Sequence, residues 1–216
     1  VSWFESKSRS QNNFFIMRLK ILSWNIWVDG KFDQIAGFLK TANADIIGLQ
    51  EVEVNDLQLD IIEFLKGLGY EHAFAPVRKV FGKEIWNDGP AVFSKHKIID
   101  TKTYLLSETN GRAAVKADIK IGDKILHVFS THLKHTHQQP SEVQELQIKN
   151  LIKVLPKEKT IVMGDFNATP ESAAIKEMAK IIIDSDPYRI PTLNAPLFDC
   201  PKCDMGTIAD IRLDYI

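Results

Sequence analysis

A short apolar run, followed by a glycine, two oxygen-bearing side chains and a helix start, constrains the fold of this chain most strongly. The run Ile161–Met163 predicts a buried strand, and Gly164 after it predicts a turn. Asp165 and Asn167 follow where the strand ends. The Thr-Pro pair at 169–170 fits the N-cap and first position of a helix. The stretch therefore predicts a strand, a short polar loop and a helix.

A carboxylate and a carboxamide in so short a loop have two interpretations. They can bind a metal ion, orient a water molecule or contact a phosphate oxygen. They are also typical of an Asx turn, in which the carboxylate bonds nearby backbone N–H groups and has no further role. The loop alone does not decide between them.

Composition indicates one globular domain. Of the 216 residues, 44% are hydrophobic and 12 are Phe, which is enough for a large core and excludes a disordered chain. The net charge of -1 gives no global basic field for nucleic acid, so a polyanion would need a local basic patch. Such basic runs are more often solvated loops than binding sites. The candidates are Arg78, Lys79 and Lys83, then Lys95 and Lys97, then Lys134 with His135 and His137.

The chain carries no obvious targeting or membrane segment. No apolar run is long enough to span a bilayer, and residues 1–16 lack a signal-peptide core. The first strand pattern opens at Met17, so we expect residues 1–16 to be a poorly ordered extension and 17–216 to be the domain. Cys200 and Cys203 form no disulfide framework, and they fit a loop thiol pair better than half of a zinc site. We expect a cytoplasmic monomer.

Strands and helices alternate along the rest of the chain, which predicts an α/β protein with a mixed sheet. Strands are expected at Leu19–Ile26, Asp45–Glu51, Glu71–Phe74, Pro90–Ser94, Ile98–Leu106 and Ala209–Ile216. Helices are expected from Phe32 to about Asn43, from Ile61 to Leu68, and from a capping box of Ser141 and Gln144 through Leu155. Alternation from Ala113 to Ile121, a Gly-Asp turn and a second apolar run predict a hairpin that ends at His132.

Polar residues at the ends of these strands form a set that turn chemistry alone does not explain. Each is common at a strand end, and a lone histidine is more often a surface imidazole. Together they make an oxygen-rich, thiol-free group of the kind that Mg²⁺ or Mn²⁺ prefers. The set consists of Asn25, Glu51, His132, Asp165 with Asn167, and Asp214.

Five short motifs around these residues resemble, in order, those of the endonuclease/exonuclease/phosphatase superfamily. They are Ser23-Trp-Asn-Ile26, Gln50-Glu-Val52, Ser130-Thr-His-Leu133, Gly164-Asp-Phe-Asn167 and Arg212-Leu-Asp-Tyr-Ile216. The resemblance covers Met17 to Ile216 and implies the DNase I-like fold. That fold is a four-layer α/β sandwich, in which two packed mixed β-sheets are flanked by helices and the site lies at one end.

The resemblance also implies a role for the residues that would hold a metal ion and the attacking water. Glu51 matches the principal Mg²⁺ (or Mn²⁺) ligand, with Asn25 beside it. Asp165 and Asn167 match the pair that orients or deprotonates the water and contacts the phosphate. A carboxylate close to a cation keeps a low pKa, so Glu51 is expected to stay ionised.

Three further residues match positions around the phosphate. His132 matches the histidine that donates to the scissile phosphate, and Asp214 matches the aspartate that orients a second, C-terminal histidine. Arg112 is a candidate substrate-binding residue, although a solvated strand start is equally consistent with its position. A zinc site that combines His132 with His135 and His137 is disfavoured, because a buried-strand histidine followed by loop histidines is a poor zinc pattern.

The function that the resemblance implies is a Mg²⁺-dependent phosphoesterase, which hydrolyses a phosphodiester by in-line attack of water. The partner would be a phosphate-ester substrate, with nucleic acid, a lipid headgroup and a nucleotide left open. The family's final Asp-His segment does not follow Ile216, so we expect a truncated chain with weak or no turnover. The alternative is a non-catalytic scaffold or an inactive member of the same fold.

Overall fold

Eleven strands and four helices are found in the part of the chain that the structure describes. A computed structural model describes residues 2–10, 13–27, 30–53, 60–81, 84–108, 111–186, 188, 190–192 and 211–216. The strands are β1 Ser2–Ser10, β2 Asn13–Asn25, β3 Ile46–Glu53, β4 Glu71–Phe74, β5 Val77–Phe81, β6 Glu84–Ser94, β7 Ile98–Ser107, β8 Arg112–Ile121, β9 Lys124–His132, β10 Thr160–Asp165 and β11 Asp214–Tyr215. The helices are α1 Phe32–Ala42, α2 Ile61–Gly67, α3 Glu142–Ile152 and α4 Ala173–Met178.

The strands form two mixed sheets. A six-stranded sheet has the order β1-β2-β3-β6-β4, and β5 pairs with the remaining length of β6. A five-stranded sheet has the order β11-β10-β9-β8-β7. Each sheet contains one parallel pair, β2 with β3 and β9 with β10, among antiparallel neighbours. Both parallel pairs are joined through a helix, as a parallel connection requires.

Three separate apolar cores show that the sheets and helices stack in four layers. Helices α1 and α2 cover the outer face of the six-stranded sheet, with Leu39 and Leu65 in that core. The two sheets pack face to face through residues such as Ile46 and Met163. Helices α3 and α4 cover the outer face of the five-stranded sheet, where Leu151 is buried. The predicted four-layer α/β sandwich is confirmed.

Several local predictions are also confirmed. Strand β4 has the predicted bounds, and α2 begins at Ile61 as expected and ends one residue before the predicted Leu68. Helix α1 stops at Asn43, whose left-handed backbone (φ 46°) lets its N–H donate to the carbonyl of Leu39. The β8–β9 hairpin turns at Gly122, which has a φ of 61°. These features depend on neighbours in sequence, which is why sequence reasoning finds them.

Two predicted helix boundaries are wrong. Helix α4 is capped by the Ser172 side chain rather than by Thr169, because the carbonyl of Thr169 accepts the N–H of Ser172 and closes a turn first. Helix α3 ends at Ile152 rather than Leu155. Its last N–H groups donate three residues back instead of four, from Leu155 to the carbonyl of Ile152 for example, so the helix tightens and stops.

Gly164 lies inside β10, so the predicted turn at this residue is also wrong. A Cβ atom at this position would meet the carbonyl oxygen of Thr131 at 2.1 Å. Glycine is therefore required because β9 approaches β10 closely here. The two strands remain paired up to His132 and Asp165.

The two ends of the chain carry the predicted domain boundary at residue 17, the predicted final strand and the two cysteines. Strand β2 crosses the predicted boundary at residue 17, and β1 pairs with it, while the domain boundaries stay a prediction. Of the predicted final strand from Ala209 to Ile216, only Asp214–Tyr215 forms a strand, β11, among the described residues. Ala209, Cys200 and Cys203 lie outside the described residues. Among the described helices, none combines the length and the apolar character needed to cross a membrane.

Candidate active site

The carboxyl ends of both parallel strand pairs meet at one end of the sandwich. Asn25 and Glu51 come from β2 and β3 of the six-stranded sheet, and His132 and Asp165 come from β9 and β10 of the five-stranded sheet. The Asn25 Nδ2 atom donates to Glu51 Oε1 and to Asp165 Oδ2, each at 3.0 Å. One carboxamide therefore links carboxylates from facing sheets.

The His132 imidazole lies between the same two carboxylates. Its Nε2 atom is 3.7 Å from Asp165 Oδ2, and its Nδ1 atom is 4.0 Å from Glu51 Oε1. The side chain is buried. The structure thus brings together four predicted site residues that are widely separated in sequence.

The two oxygens of Asp165 do different things. Its Oδ1 atom accepts the backbone N–H of Asn167 at 2.8 Å, which is the Asx turn considered from the sequence. Its Oδ2 atom faces Asn25 and His132 instead. Asn167 has a left-handed backbone (φ 48°), and its Nδ2 atom donates to the carbonyl of Leu133 at 3.1 Å. The Asx-turn interpretation is therefore confirmed for Oδ1. The metal, water or phosphate interpretation stays a prediction for Oδ2.

Two acidic side chains lie next to each other at this end of the five-stranded sheet. Asp214 of β11 is the register partner of Asp165. Burial raises the pKa of the Asp165 carboxyl, and the charge of Asp214 raises it further. Burial also raises the pKa of Asp214, whose Oδ1 atom is buried without a hydrogen-bond partner among the described residues. A hydrogen bond with Thr192 and the positive charge of Arg212 oppose the rise in the Asp214 pKa, but burial outweighs them.

An irregularity in β3 directs Glu51 into the site. Glu51 has a φ of 60°, which is uncommon for a residue with a side chain, and the β3–β6 register shifts between Leu49 and Val52. In a regular strand Gln50 and Glu51 would point to opposite faces. Here Gln50 bonds the facing sheet while Glu51 also reaches Asn25. A bulge that redirects a side chain in this way is typical of functional sites.

Comparison with known proteins identifies the family. A model of the Endonuclease/Exonuclease/phosphatase family matches residues 22–216. The chain belongs to this family. Membership confirms the resemblance that the five motifs indicate. No curated protein matches the chain in sequence.

Solved structures of similar fold cover most of this family member. The human Nocturnin catalytic domain with bound sulfate is 23% identical, covering 91% of this chain and 81% of its own, with a TM-score of 0.67. TDP2 from D. rerio, complexed with a single strand DNA product, is 16% identical, with a TM-score of 0.66. The match covers 91% of this chain and 82% of the TDP2 chain. ANGEL2, a 2',3'-cyclic phosphatase, is 19% identical with a TM-score of 0.64. The match covers 75% of this chain and 56% of the ANGEL2 chain, so this chain spans little more than half of that protein.

Arg112 lies within the electric field of the site. Burial lowers the pKa of its guanidinium, and the negative charges of Asp88, Glu51 and Asp165 oppose that shift. Its Nη1 atom is buried and has no hydrogen-bond partner among the residues described. A guanidinium with such an Nη1 atom can donate a hydrogen bond to an anionic oxygen of a ligand.

The oxygen-rich donor set fits a hard cation. No three His, Cys, Asp or Glu side chains form a metal-binding group within the described ranges. Mg²⁺ commonly uses one or two protein carboxylates and takes its other ligands from water and phosphate, so Glu51 with Asn25 is a sufficient protein contribution. Asn25 Oδ1 accepts the N–H of Trp27 at 3.0 Å, so Asn25 would ligate only after turning its carboxamide. The His135 and His137 rings lie 4.4 Å apart, as a pair without a third ligand among described residues.

Gln50 supports the site from behind, and sequence reasoning did not single it out. It is fully buried, and its Nε2 atom donates to Ser130 Oγ at 3.1 Å across the two sheets. The Ser130 hydroxyl in turn donates to the carbonyl of Leu49 at 3.2 Å. The signal in the sequence was a glutamine inside a continuous apolar strand, where a buried amide needs a partner.

Gln144 also supports the site, although the sequence placed it in a capping box. Its backbone N–H does donate to Ser141 Oγ, at 3.4 Å, as expected. Its side chain instead donates to the carbonyl of Asn167 at 2.8 Å. The available signal was its position four residues before Ile148, on the buried face of α3.

Proposed function

We propose that this family member is a divalent-metal-dependent phosphoesterase that cleaves a phosphodiester by in-line attack of water. The observation that carries the proposal is the Asn25 carboxamide, which donates to Glu51 and Asp165 from facing sheets. The His132 imidazole lies between the same carboxylates. A scaffold has no need for this convergence.

Glu51 and Asn25 would hold Mg²⁺ or Mn²⁺. The bound cation would supply Lewis-acid polarisation of a phosphoryl oxygen. Glu51 supplies a carboxylate oxygen on a backbone whose bulge directs it to the site. Before a cation binds, the Asn25 carboxamide links that carboxylate to Asp165, and it would turn its oxygen to the cation on binding.

Asp165 would orient the attacking water and accept its proton. The water oxygen forms the new bond to phosphorus, its proton goes to Asp165, and the opposite P–O bond breaks with the electron pair on the leaving oxygen. Burial raises the pKa of Asp165, which makes it a better proton acceptor than an exposed aspartate. Asn167 follows in a loop whose backbone is tied to Asp165 and would contact the phosphate.

His132 and Arg112 would stabilise the negative charge that grows on the phosphoryl oxygens. His132 lies between carboxylates of both sheets, and its imidazole would donate to one of these oxygens. Arg112 offers a buried Nη1 atom without a hydrogen-bond partner among described residues. Asp214 would orient a second histidine of the family pattern, and its buried Oδ1 atom is the acceptor that such an imidazole N–H would use.

A substrate that contains a nucleotide is the class we favour. ANGEL2 is named as a 2',3'-cyclic phosphatase, and the TDP2 structure holds a single strand DNA product. The net charge of -1 suits a short nucleic acid or a small phosphodiester better than a long duplex.

The test is hydrolysis of four phosphodiesters, each with Mg²⁺, with Mn²⁺ and with EDTA. The four are bis(p-nitrophenyl) phosphate, a single-stranded DNA oligonucleotide, 2',3'-cyclic AMP and sphingomyelin. We expect weak, cation-dependent hydrolysis of one of the first three, which is lost in His132→Gln. Absence of turnover on all four substrates would favour the scaffold alternative. Hydrolysis that persists in His132→Gln or in EDTA would contradict the proposed site.

A further inference from the structure

Helix α3 carries three carboxamides on the side that faces the five-stranded sheet. Gln144, Gln147 and Asn150 follow one another at intervals of three residues, so they share this side of the helix. Gln144 is 3% exposed and Gln147 is 0% exposed. A buried carboxamide destabilises the fold unless its hydrogen bonds are made. The partners of these three groups therefore indicate what each one does.

The Gln144 side chain bonds two backbone segments that follow different site strands. Its Nε2 atom donates to the carbonyl of Lys134, after β9, at 2.7 Å. The same atom donates to the carbonyl of Asn167, after β10, at 2.8 Å, and lies 3.5 Å from the carbonyl of Phe166. These bonds also settle the orientation of the carboxamide, because its oxygen could not replace the nitrogen among three carbonyls.

These bonds begin where the ladder between β9 and β10 stops. The last paired residues are His132 and Asp165, and the N–H of Leu133 still donates to the carbonyl of Asp165 at 2.9 Å. Beyond that point the two segments are joined by the Asn167 side chain, at 3.1 Å from the Leu133 carbonyl, and by Gln144. Gln144 is the one of these groups that comes from a third element.

We infer that Gln144 is a positioning residue that holds the two site segments together and thereby aligns Asp165 and Asn167 with His132. The inference rests on the proposed function for its effect on turnover, but its effect on the two segments does not depend on that function. The Asn167 carbonyl that accepts from Gln144 belongs to the same residue whose side chain donates to Leu133, so both bonds fix the position of Asn167. Gln144 itself would not touch the substrate.

The other two carboxamides of α3 bond different partners, so they allow the role of Gln144 to be distinguished from a general attachment of the helix to the sheet. The Gln147 Oε1 atom accepts the N–H of Lys134 at 3.0 Å and its Nε2 atom donates to Ser107 Oγ at 2.8 Å, so it reaches only the segment after β9. The Asn150 Nδ2 atom donates to the carbonyl of Leu106 at 2.9 Å and reaches neither segment. Asn150 is therefore the matched control.

Three variants of the full chain test the inference. Gln144→Met keeps the length of the side chain and removes its donor. Gln144→Asn keeps the amide but withdraws it by about one bond length, about 1.5 Å, and it replaces the Met variant should that protein fail to fold. Asn150→Leu removes the control carboxamide.

The readouts are backbone amide exchange by mass spectrometry and steady-state hydrolysis with Mg²⁺. In Gln144→Met we expect faster exchange in residues 131–135 and in 164–169, with kcat lowered about tenfold to 100-fold and KM unchanged within about twofold. Asn150→Leu should show neither effect.

Equal exchange in Gln144→Met (or Gln144→Asn) and Asn150→Leu, in both segments, would overturn the inference. Faster exchange in one segment alone would also overturn it, because the bridge requires both to loosen. If the wild-type protein hydrolyses none of the substrates, the proposed function fails, while the exchange comparison still decides the role of Gln144.

Discussion

Two partly buried polar clusters each pair a carboxylate with a histidine of strand β9, and they differ in charge balance. The far cluster consists of Lys116, Asp118 and His127, and the site cluster consists of Asn25, Glu51, His132 and Asp165. His127 precedes His132 by about 16 Å along the extended strand. The far cluster lies within the five-stranded sheet, whereas the site cluster joins both sheets.

The far cluster is complete in itself. The two oxygens of Asp118 contact His127 Nδ1 at 2.7 Å and Lys116 Nζ at 2.8 Å. Burial alone would raise the pKa of Asp118, but the hydrogen bonds from His127 and Lys116 outweigh it and lower the pKa. Every negative charge has a positive or donating neighbour. This cluster can stabilise the fold, and both oxygens of its carboxylate are already bonded within it.

The site cluster has the opposite balance. The pKa of Asp165 is raised by burial and then by the charge of Asp214, and its distance of 3.7 Å to His132 exceeds that of a hydrogen bond. Burial and the charges of the neighbouring carboxylates outweigh the hydrogen bonds that Asp165 accepts from Asn25 and from the N–H of Asn167. A cluster that costs stability in this way is a candidate functional site, because a cation or substrate can restore the balance. The comparison teaches that charge balance separates the two clusters more clearly than residue type does.

The largest expected difference between the clusters is in turnover. Asp165→Asn should lower kcat on the best substrate by about 10²–10⁴-fold, because it removes the proton acceptor. Asp118→Asn makes the same chemical change in the far cluster and should leave kcat within about twofold, since Asp118 acts only on the fold. Steady-state hydrolysis with Mg²⁺ measures both. Equal losses in the two variants would show that the clusters do not differ in function.

Cation binding should distinguish the clusters next. Saturating Mg²⁺, at about 100 times its Kd, should stabilise the wild-type protein by about 2.7 kcal/mol if it binds the folded state alone. Glu51→Gln should remove most of this gain because it removes the carboxylate ligand, and Asp118→Asn should keep it. Thermal unfolding with and without Mg²⁺ measures the gain. A gain that survives in Glu51→Gln would place the cation elsewhere.

In the absence of a metal ion, neutralising one carboxylate should change the free energy of unfolding in opposite directions for the two clusters. Asp118→Asn should lower the free energy of unfolding by about 1–2 kcal/mol, because it breaks a charge-assisted bond between partly buried groups. Asp214→Asn should raise that free energy, by up to about 1 kcal/mol, because it removes a charge that opposes Asp165. Urea unfolding at neutral pH in EDTA measures both. Destabilisation of similar size in the two variants would refute the contrast.

What sequence could predict follows the range of the interactions involved. The strand that delivers Asn25 and the end of α1 at Asn43 are set by periodicity and capping, which are local. The bulge that brings Glu51 toward Asn25 is set by a neighbouring strand, and no residue in its own motif indicates a positive φ. A regular strand would place Glu51 on the helix side, so the motif alone predicts the residue but not its direction.

The support of the site loops was harder to predict for the same reason. Gln144 fits a capping box by its spacing from Ser141, and that pattern hid the bond that it makes with Asn167, 23 residues away. Thr169 likewise fits an N-cap, but the turn that it closes depends on how the loop leaves β10. Local patterns state which hydrogen bonds a residue can make. Tertiary packing decides which of them form.

The smallest expected difference lies in the pH dependence of stability, and it has opposite slopes for the two clusters. The ordinary pKa of both Asp118 and Asp214 is 3.8. The pKa of Asp118 is lowered in the fold, so its contribution is complete above about pH 5 and disappears as pH falls through the lowered value. The pKa of Asp214 is raised, so its contribution is complete below its ordinary pKa and disappears as pH rises through the raised value.

Urea unfolding from pH 3 to pH 8 in EDTA, on wild type and both Asn variants, measures the two slopes. The wild type should gain stability relative to Asp118→Asn between about pH 3 and pH 5, and lose stability relative to Asp214→Asn as pH rises above about 4. Slopes of the same sign would mean that Asp214 is as well balanced by its surroundings as Asp118. The charge imbalance assigned to the site cluster would then be wrong. Because both variants replace one carboxylate by an amide in the same sheet, any general effect of the substitution cancels in this comparison.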